Sequence, residues 1–299
     1  MWQRVSRENP CYGCGKPDYC RWSEEGGVEC KRGPFPGAKE CRDKNGATHW
    51  VGSRSSEDWK PPERRLKGKD RAPLEPAENG KLDRVYTFLL DQLCLDLRHW
   101  EALRGRGFTR EAVQRMRFRT LPLSTRDLLA ARVAERFPFW EQVPGFYERS
   151  GRPHLGGVAG LLIPCCNLSG QVTSLRVRPD DPGEGGKYRW LSSAEFGGPG
   201  PTGRASFWEA PNTSRIRITE GELKAARLAE GTGIPTISAP GVAELASTEI
   251  LGWLRQLAPD HVLLCPDRDF RTNPQVGRAV RGALSSLNKL QVPVKVEVW

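Results

Sequence analysis

Apolar positions change their period along the chain. Between 82 and 104 they recur close to every 3.6 residues, at Val85, Phe88, Leu89, Leu93, Leu97, Trp100 and Leu103, which predicts one amphipathic helix. Gly107 breaks that spacing. Thr109 is placed to cap a second helix reaching about Met116, and Ser124 or Thr125 heads a third over 125–136. From 145 the period shortens. The apolar run 158–163, closed by Pro164, and the stretch 172–178 flank a Ser169-Gly170 turn and predict a β-hairpin. Beyond 215, strands are expected at 215–219, 235–238, 261–265 and 292–298, with helices at 222–230, 246–257 and 274–287. Four strands alternating with three helices predict a parallel α/β sheet. No internal repeat is visible.

The N-terminal residues 1–51 follow neither period. They are rich in Cys, Gly, Lys and Arg and too poor in aliphatic residues to build a core, so a bound metal is expected to hold them. Cys11 and Cys14 have the Cys-x-x-Cys spacing of a metal knuckle, with Gly13 and Gly15 permitting its turn. Cys20 and Cys30 complete a four-thiolate set for a structural zinc ion. Cys41 is an alternative to Cys20, and His49 is a weaker donor. Free thiols on an unstructured tail are the other reading. Residues 52–81 carry Ser, Pro, Lys, Arg and Glu with almost no apolar periodicity, the composition of a flexible linker. The expected layout is therefore a zinc module at 1–51, a linker at 52–81, a basic α+β subdomain at 82–210 and an α/β sheet domain at 211–299.

Charge adds a partner class. The 299 residues carry a net charge of +10 and a pI near 9.3, which favours anionic partners. Six arginines lie between Arg104 and Arg119 with Glu111 as the only acid among them. Arg176, Arg178, Lys187 and Arg189 form a second set, suited to phosphates; a solvated basic surface is the plain alternative. No apolar run approaches the roughly 18–20 residues that span a bilayer. Met1 to Arg7 has no apolar region behind its charges, so no secretory signal is read and a cytoplasmic location is expected.

The acidic groups sit at strand ends. Glu220 closes the first strand of the α/β half, and Asp267 and Asp269 follow the third. Ligands of parallel sheets bind beyond the carboxyl ends of the strands. If those strands are neighbours, three carboxylates converge, and a divalent cation relieves their repulsion. Mg²⁺ suits such a set because it takes a few carboxylates and leaves room for water and phosphate oxygens. The competing reading is a helix-start charge for Glu220 and loop caps for the two aspartates.

These segments together resemble the DnaG-type primases and their phage and plasmid relatives. Ile218 to Glu222, followed by Asp267-x-Asp269, is similar to a Toprim domain, the metal-binding fold of primases, topoisomerases and some nucleases. Leu161-Leu162-Ile163-Pro164, Gly170, Arg178 and Gly186-Lys187-Tyr188-Arg189-Trp190-Leu191-Ser192-Ser193 resemble the family's "IP…G…R…KYLNS" stretch. Leu103 to Phe108 resembles its "L..RG" segment and makes Arg106 the matching basic residue; Arg204 matches a further one. The cysteines occupy the place of the family's zinc-binding domain, without its usual two-plus-two spacing. The resemblance implies a nucleotidyltransferase that makes short RNA primers on single-stranded DNA during replication. It implies Glu220, Asp267 and Asp269 as Mg²⁺ ligands, and Arg106, Arg178, Lys187, Tyr188 and Arg204 as binders of ribonucleoside triphosphates and template. A replicative helicase on another chain is the implied protein partner.

Two departures accompany the resemblance. The family commonly has an acid four residues after its first glutamate, where this chain has Lys224. It also carries an acidic pair after the fourth strand, beyond the point this sequence reaches. Both place one-cation binding ahead of two-cation catalysis, and nucleic-acid binding ahead of catalytic activity. The rival expectations are a non-catalytic nucleic-acid-binding replication factor and a Toprim nuclease.

Overall fold

The structure, a computed structural model, describes residues 2–5, 11–12, 20–23, 25–35, 37–43, 47–53, 74–182, 186–202, 205–212 and 214–297. The chain divides into two units, Met1–Lys67 and Gly68–Trp299.

The first unit is built on antiparallel strands β1 (Trp2–Arg4), β2 (Arg21–Ser23), β3 (Gly27–Cys30), β4 (Lys39–Arg42) and β5 (Thr48–Ser53), in the order β1-β2-β3-β5-β4. Its buried core is Val5, Cys11, Cys20, Val28, Cys30 and Phe35. Among the described residues three of those six are cysteines, with Tyr12, Trp22, Ala38 and Trp50 packed against them, so the aliphatic part of this core is small. β5 runs on through Ser53, taking up the first residues expected in the linker. The rest of that stretch, 54–73, lies outside the described residues.

In the second unit the apolar spacing over 82–104 resolves into two helices, α1 (Asn79–Asp91) and α2 (Leu97–Arg104), rather than one. The break has a local cause. The Thr120 amide donates to the Cys94 carbonyl at 2.9 Å, and the Asp96 amide donates to Thr120 Oγ1 at 2.9 Å. Both bonds draw the backbone between the helices onto the short strand β6 (Arg119–Leu121). Thr109 caps α3 (Arg110–Arg115) by accepting the Ala112 amide at 3.1 Å, and α4 covers Arg126–Arg136.

The hairpin forms as β9 (Gly160–Cys166) and β10 (Val172–Pro179). Pro164 does not end β9. β6 pairs only with Gly160, Leu161 and Leu162, so beyond them β9 has lost that neighbour, a setting in which a strand proline is tolerated. A small hairpin, β7 (Phe146–Arg149) with β8 (Arg152–Leu155), and the two-residue β11 (Arg189–Trp190) complete this half. The sheet order is β11-β10-β9-β6.

The second sheet contains β12 (Ser206–Trp208), β13 (Arg215–Glu220), β14 (Thr236–Ala239), β15 (His261–Cys265) and β16 (Val294–Val296), in the order β12-β14-β13-β15-β16. β14, β13, β15 and β16 are parallel, and β12 runs antiparallel to β14. Helices α5 (Glu222–Thr232), α6 (Thr248–Leu257) and α7 (Pro274–Asn288) connect them. Asn273 caps α7 and Pro274 fills its first turn, where a missing N–H costs nothing. β12 precedes residue 211, so one strand of this sheet comes from the stretch expected in the basic subdomain. A buried cluster including Phe108, Phe118, Ile163, Trp208, Leu223 and Ala226 packs β9 and α3 against β12 and α5, and joins the two sheets.

Candidate active site and cysteine cluster

Cys11, Cys20 and Cys30 are all buried, and their sulfurs lie within 4.8 Å of one another. The Lys31 amide donates to Cys20 Sγ at 3.4 Å, a bond that favours a thiolate there. Three converging thiols in so small a core can hold a zinc ion, which needs one more ligand for tetrahedral closure. Cys14 lies outside the described residues. Cys41 is not part of the trio: it sits on β4 opposite His49, half-buried, with its thiol turned to the Lys39 carbonyl. His49 instead lies 3.9 Å from Glu29.

The acidic strand ends of the second unit have a different geometry. β13 and β15 are adjacent and parallel, so Glu220 and Asp267 leave the sheet at the same end. Glu220 Oε1 accepts the backbone amide of Asp267 at 3.0 Å. Gly221 follows with φ near +81°, a conformation open to glycine, and turns the chain directly into α5. One turn into that helix, Lys224 Nζ reaches Asp267 Oδ1 at 2.5 Å. The lysine side chain is only 14% exposed and the aspartate 57%. Asp269 is exposed on the single 3₁₀ turn Arg268–Arg271. The three carboxylates therefore do not close into one donor shell. Among the described residues only the cysteine trio has three donor atoms within 4.8 Å. The backbone amide and Lys224 already engage Glu220 and Asp267, and the 3₁₀ turn carries Asp269 onward. Beside them, burial first and then the Glu297 charge push the Cys265 thiol up to about 11, which keeps it protonated at neutral pH.

Arg178 of β10 and Tyr188, just before β11, meet on the other sheet of this unit. The Arg178 guanidinium lies 5.9 Å from the Tyr188 ring centroid. Burial raises the Tyr188 pKa; nearby Arg178 opposes the rise, and Arg106 does so more weakly. Arg106 thus contributes to the same electrostatic field, from a loop whose Gly107 is packed so closely on Arg227 of α5 that an added Cβ would lie 2.9 Å from Nε. Lys187 is exposed next to Tyr188. Arg204 lies outside the described residues. The arginines between 104 and 119 are largely committed to the fold. Arg117 binds Thr87 and Asp91, Arg119 binds the Leu90 carbonyl, Arg115 pairs with Glu230, and Arg110 stacks on Trp100 at 4.7 Å.

Three polar links were not read from the sequence. Arg176 pairs with Glu222 in the interior. His99 bridges Thr120 Oγ1 at 2.7 Å and Asp180 Oδ1 at 2.8 Å, tying the end of β10 to α2. Arg217 is buried and pairs with Glu297. Only the first carried a sequence signal: Arg176 and Arg178 share a strand face, and Glu222 stands two residues after Glu220.

No model of a known protein family matches the sequence, and neither does any curated protein. Solved primase structures do share the fold. The zinc-binding and RNA polymerase domains of the Aquifex aeolicus primase align with a TM-score of 0.59 at 16% identity, over 75% of this chain and 56% of that one. The RNA polymerase domain of Mycobacterium tuberculosis DnaG, bound to double-stranded DNA with a 6-nucleotide overhang, aligns at 0.59 and 17% identity, over 75% and 74% of the two chains. A DnaG primase catalytic domain bound to single-stranded DNA aligns at 0.54 and 16%, over 74% and 71%. The chain thus spans little more than half of the Aquifex chain it matches. At such identities the likeness is one of fold.

Proposed function

We propose that this protein is a primase of the DnaG type, making short RNA primers on single-stranded DNA from ribonucleoside triphosphates. The observation that carries the reading is the meeting of Glu220 and Asp267 at the carboxyl ends of neighbouring parallel strands, within a fold shared with primase RNA polymerase domains. In this reading the second sheet, with residues 211–299, is a Toprim domain and 82–210 is the basic half of the core. Residues 1–51 are then a zinc module closed by Cys11, Cys14, Cys20 and Cys30, tethered by the linker 52–81. The phage or plasmid context, the cytoplasmic setting and a helicase supplied by another chain belong to the same proposal. Among the described residues no helix is long and apolar enough to cross a membrane.

Two carboxylates, Glu220 and Asp267, would hold one Mg²⁺, with Asp269 outside their donor shell. Glu220 and Asp267 each have a second carboxylate oxygen beyond the contacts described, Asp269 is nearby in sequence, and Asp267 is more than half exposed. Two carboxylates with water and phosphate filling the remaining positions suit that ion. Mg²⁺ bound there would neutralise triphosphate charge and align it with a primer 3′-hydroxyl. The chain's own groups do the rest. Arg178 and Lys187 offer fixed and mobile cations to phosphate oxygens, Arg106 adds to their field, and Arg204 belongs to the same nucleotide- and template-binding set. Tyr188 supplies a neutral hydroxyl beside Arg178. Lys224 cancels one carboxylate charge at Asp267 and stops the aspartate from swinging.

The Lys224–Asp267 pair also favours a second reading, a nucleic-acid-binding replication factor in which an internal ammonium has replaced catalytic metal. Primer synthesis on a random single-stranded template, with ribonucleotides and Mg²⁺, separates the two. Labelled RNA products that vanish with Asp267→Asn support the primase. Template binding without products supports the binding factor, and Mg²⁺-dependent loss of labelled DNA would instead mark a nuclease.

A further inference from the structure

The buried ion pair between Arg176 on β10 and Glu222 at the start of α5 is poorly suited to a purely stabilising role. Glu222 is fully buried, and Arg176 is 6% exposed. Arg176 Nε and Glu222 Oε2 are also buried and have no hydrogen-bond partner. Removing two charges from water is costly, and a pair that leaves donors and acceptors unused recovers only part of that cost. Apolar side chains of similar volume commonly serve stability as well or better.

What the pair does have is position. Strand alternation puts Arg176 on the same face as Arg178, two residues on. The Tyr188 ring lies 5.1 Å from the Arg176 guanidinium and 5.9 Å from that of Arg178, while Trp190 lies 4.7 Å from Arg176. Arg176 therefore organises the aromatic floor on which Arg178 rests. At the other end, Glu222 is separated from Glu220 by Gly221 alone. Glycine at positive φ gives that link freedom to swing. Anchoring Glu222 in the interior removes the freedom and fixes where Glu220 leaves its strand.

We infer that Arg176 and Glu222 form a clamp of positioning residues, holding the basic face of Arg178 and Tyr188 in register with the acidic strand end of Glu220 and Asp267. The inference rests on the primase reading for its consequence in catalysis, but its structural content stands apart from that reading. Neither residue needs to touch substrate. A shift of about 1 Å between catalytic groups can cost on the order of 100-fold in rate.

The test uses the full chain with the double substitution Arg176→Met/Glu222→Leu, which replaces the pair without leaving a lone buried charge. Expected are a thermal midpoint close to wild type, single-stranded DNA affinity within about twofold, and a kcat for primer synthesis about 100-fold lower with KM for nucleotide little changed. Amide hydrogen exchange in 187–191 and 219–224 should accelerate together, with the rest of the unit unaffected. Arg176→Lys, which keeps a charge opposite Glu222 without the planar stacking, should regain part of the rate. Unchanged exchange in both segments overturns the clamp, whatever the activity. Faster exchange with an unchanged kcat overturns its catalytic role. If wild type makes no primers, the primase reading falls, and the exchange measurement alone still decides whether the pair orders both faces.

Discussion

The chain holds two candidate metal centres that solve the problem of close-packed donors in opposite ways. In the first unit Cys11, Cys20 and Cys30 are sealed inside a core with few apolar alternatives, and their sulfurs converge within 4.8 Å. In the second unit Glu220 and Asp267 stand at an open sheet end, engaged by a backbone amide and by Lys224. Thiolates in a buried site make the ion part of the fold. Partly exposed carboxylates that already have internal partners would leave a bound ion exchangeable, and the sheet behind them has its own apolar core, which includes Ile216, Ile218, Leu264 and Leu287. Under the proposed function the first ion would be part of the structure and the second a reagent.

The largest expected effect lies at the cysteines. Binding energy at a structural zinc site, about 10–16 kcal/mol in small zinc modules, is folding energy. Cys20→Ser or a strong chelator should release about one Zn²⁺ per chain and unfold the first unit, while the thermal transition of the second persists. Elemental analysis with calorimetry checks this; a first unit that stays folded without zinc would erase the contrast. Cys41→Ser is the internal control and should leave zinc content unchanged.

The next effect is catalytic. Asp267→Asn should abolish Mg²⁺-dependent synthesis with little change in stability, because Asp267 is itself more than half exposed and an asparagine keeps a carbonyl oxygen to accept from Lys224, so the loss should be about 1 kcal/mol. Calorimetry in metal-free buffer and the primer assay read the two quantities separately. A large loss of stability would make this centre structural as well.

Lys224→Asp should have a smaller effect. It removes the internal cation and adds a carboxylate, so Mn²⁺ affinity, followed by calorimetric titration, should rise about tenfold or more. Equal affinity in both proteins would mean that Lys224 does not share the site with the ion.

The smallest effect belongs to the basic residues of the hairpin sheet. Arg178→Ala should weaken template binding and lower the salt slope of log K by roughly one unit, with the fold intact. An unchanged slope would return Arg178 to an ordinary stacked surface arginine.

Much of the second unit was legible in sequence because its elements are long enough to show a period. The runs 215–219 and 261–265 became β13 and β15, and Thr109 capped α3 as its spacing implied. The elements that were missed are short or dictated from afar. β6 and β12 have three residues each, too few to carry a pattern. The helix over 82–104 was broken by Thr120, a residue distant in sequence, whose bonds to Cys94 and Asp96 override local periodicity.

By itself, then, the sequence determined the type of chemistry available: thiols clustered where no core can form, carboxylates at strand ends, and basic groups on a hairpin. Those follow from local composition and period, which act over a few residues. Tertiary structure alone decided which groups meet. It brought Cys20 rather than Cys41 to Cys11 and Cys30, set Lys224 against Asp267 and buried Arg176 with Glu222. Such pairings arise when separate strands and helices pack to bury their apolar faces, and the polar side chains they carry must then satisfy one another across distances that no local pattern records.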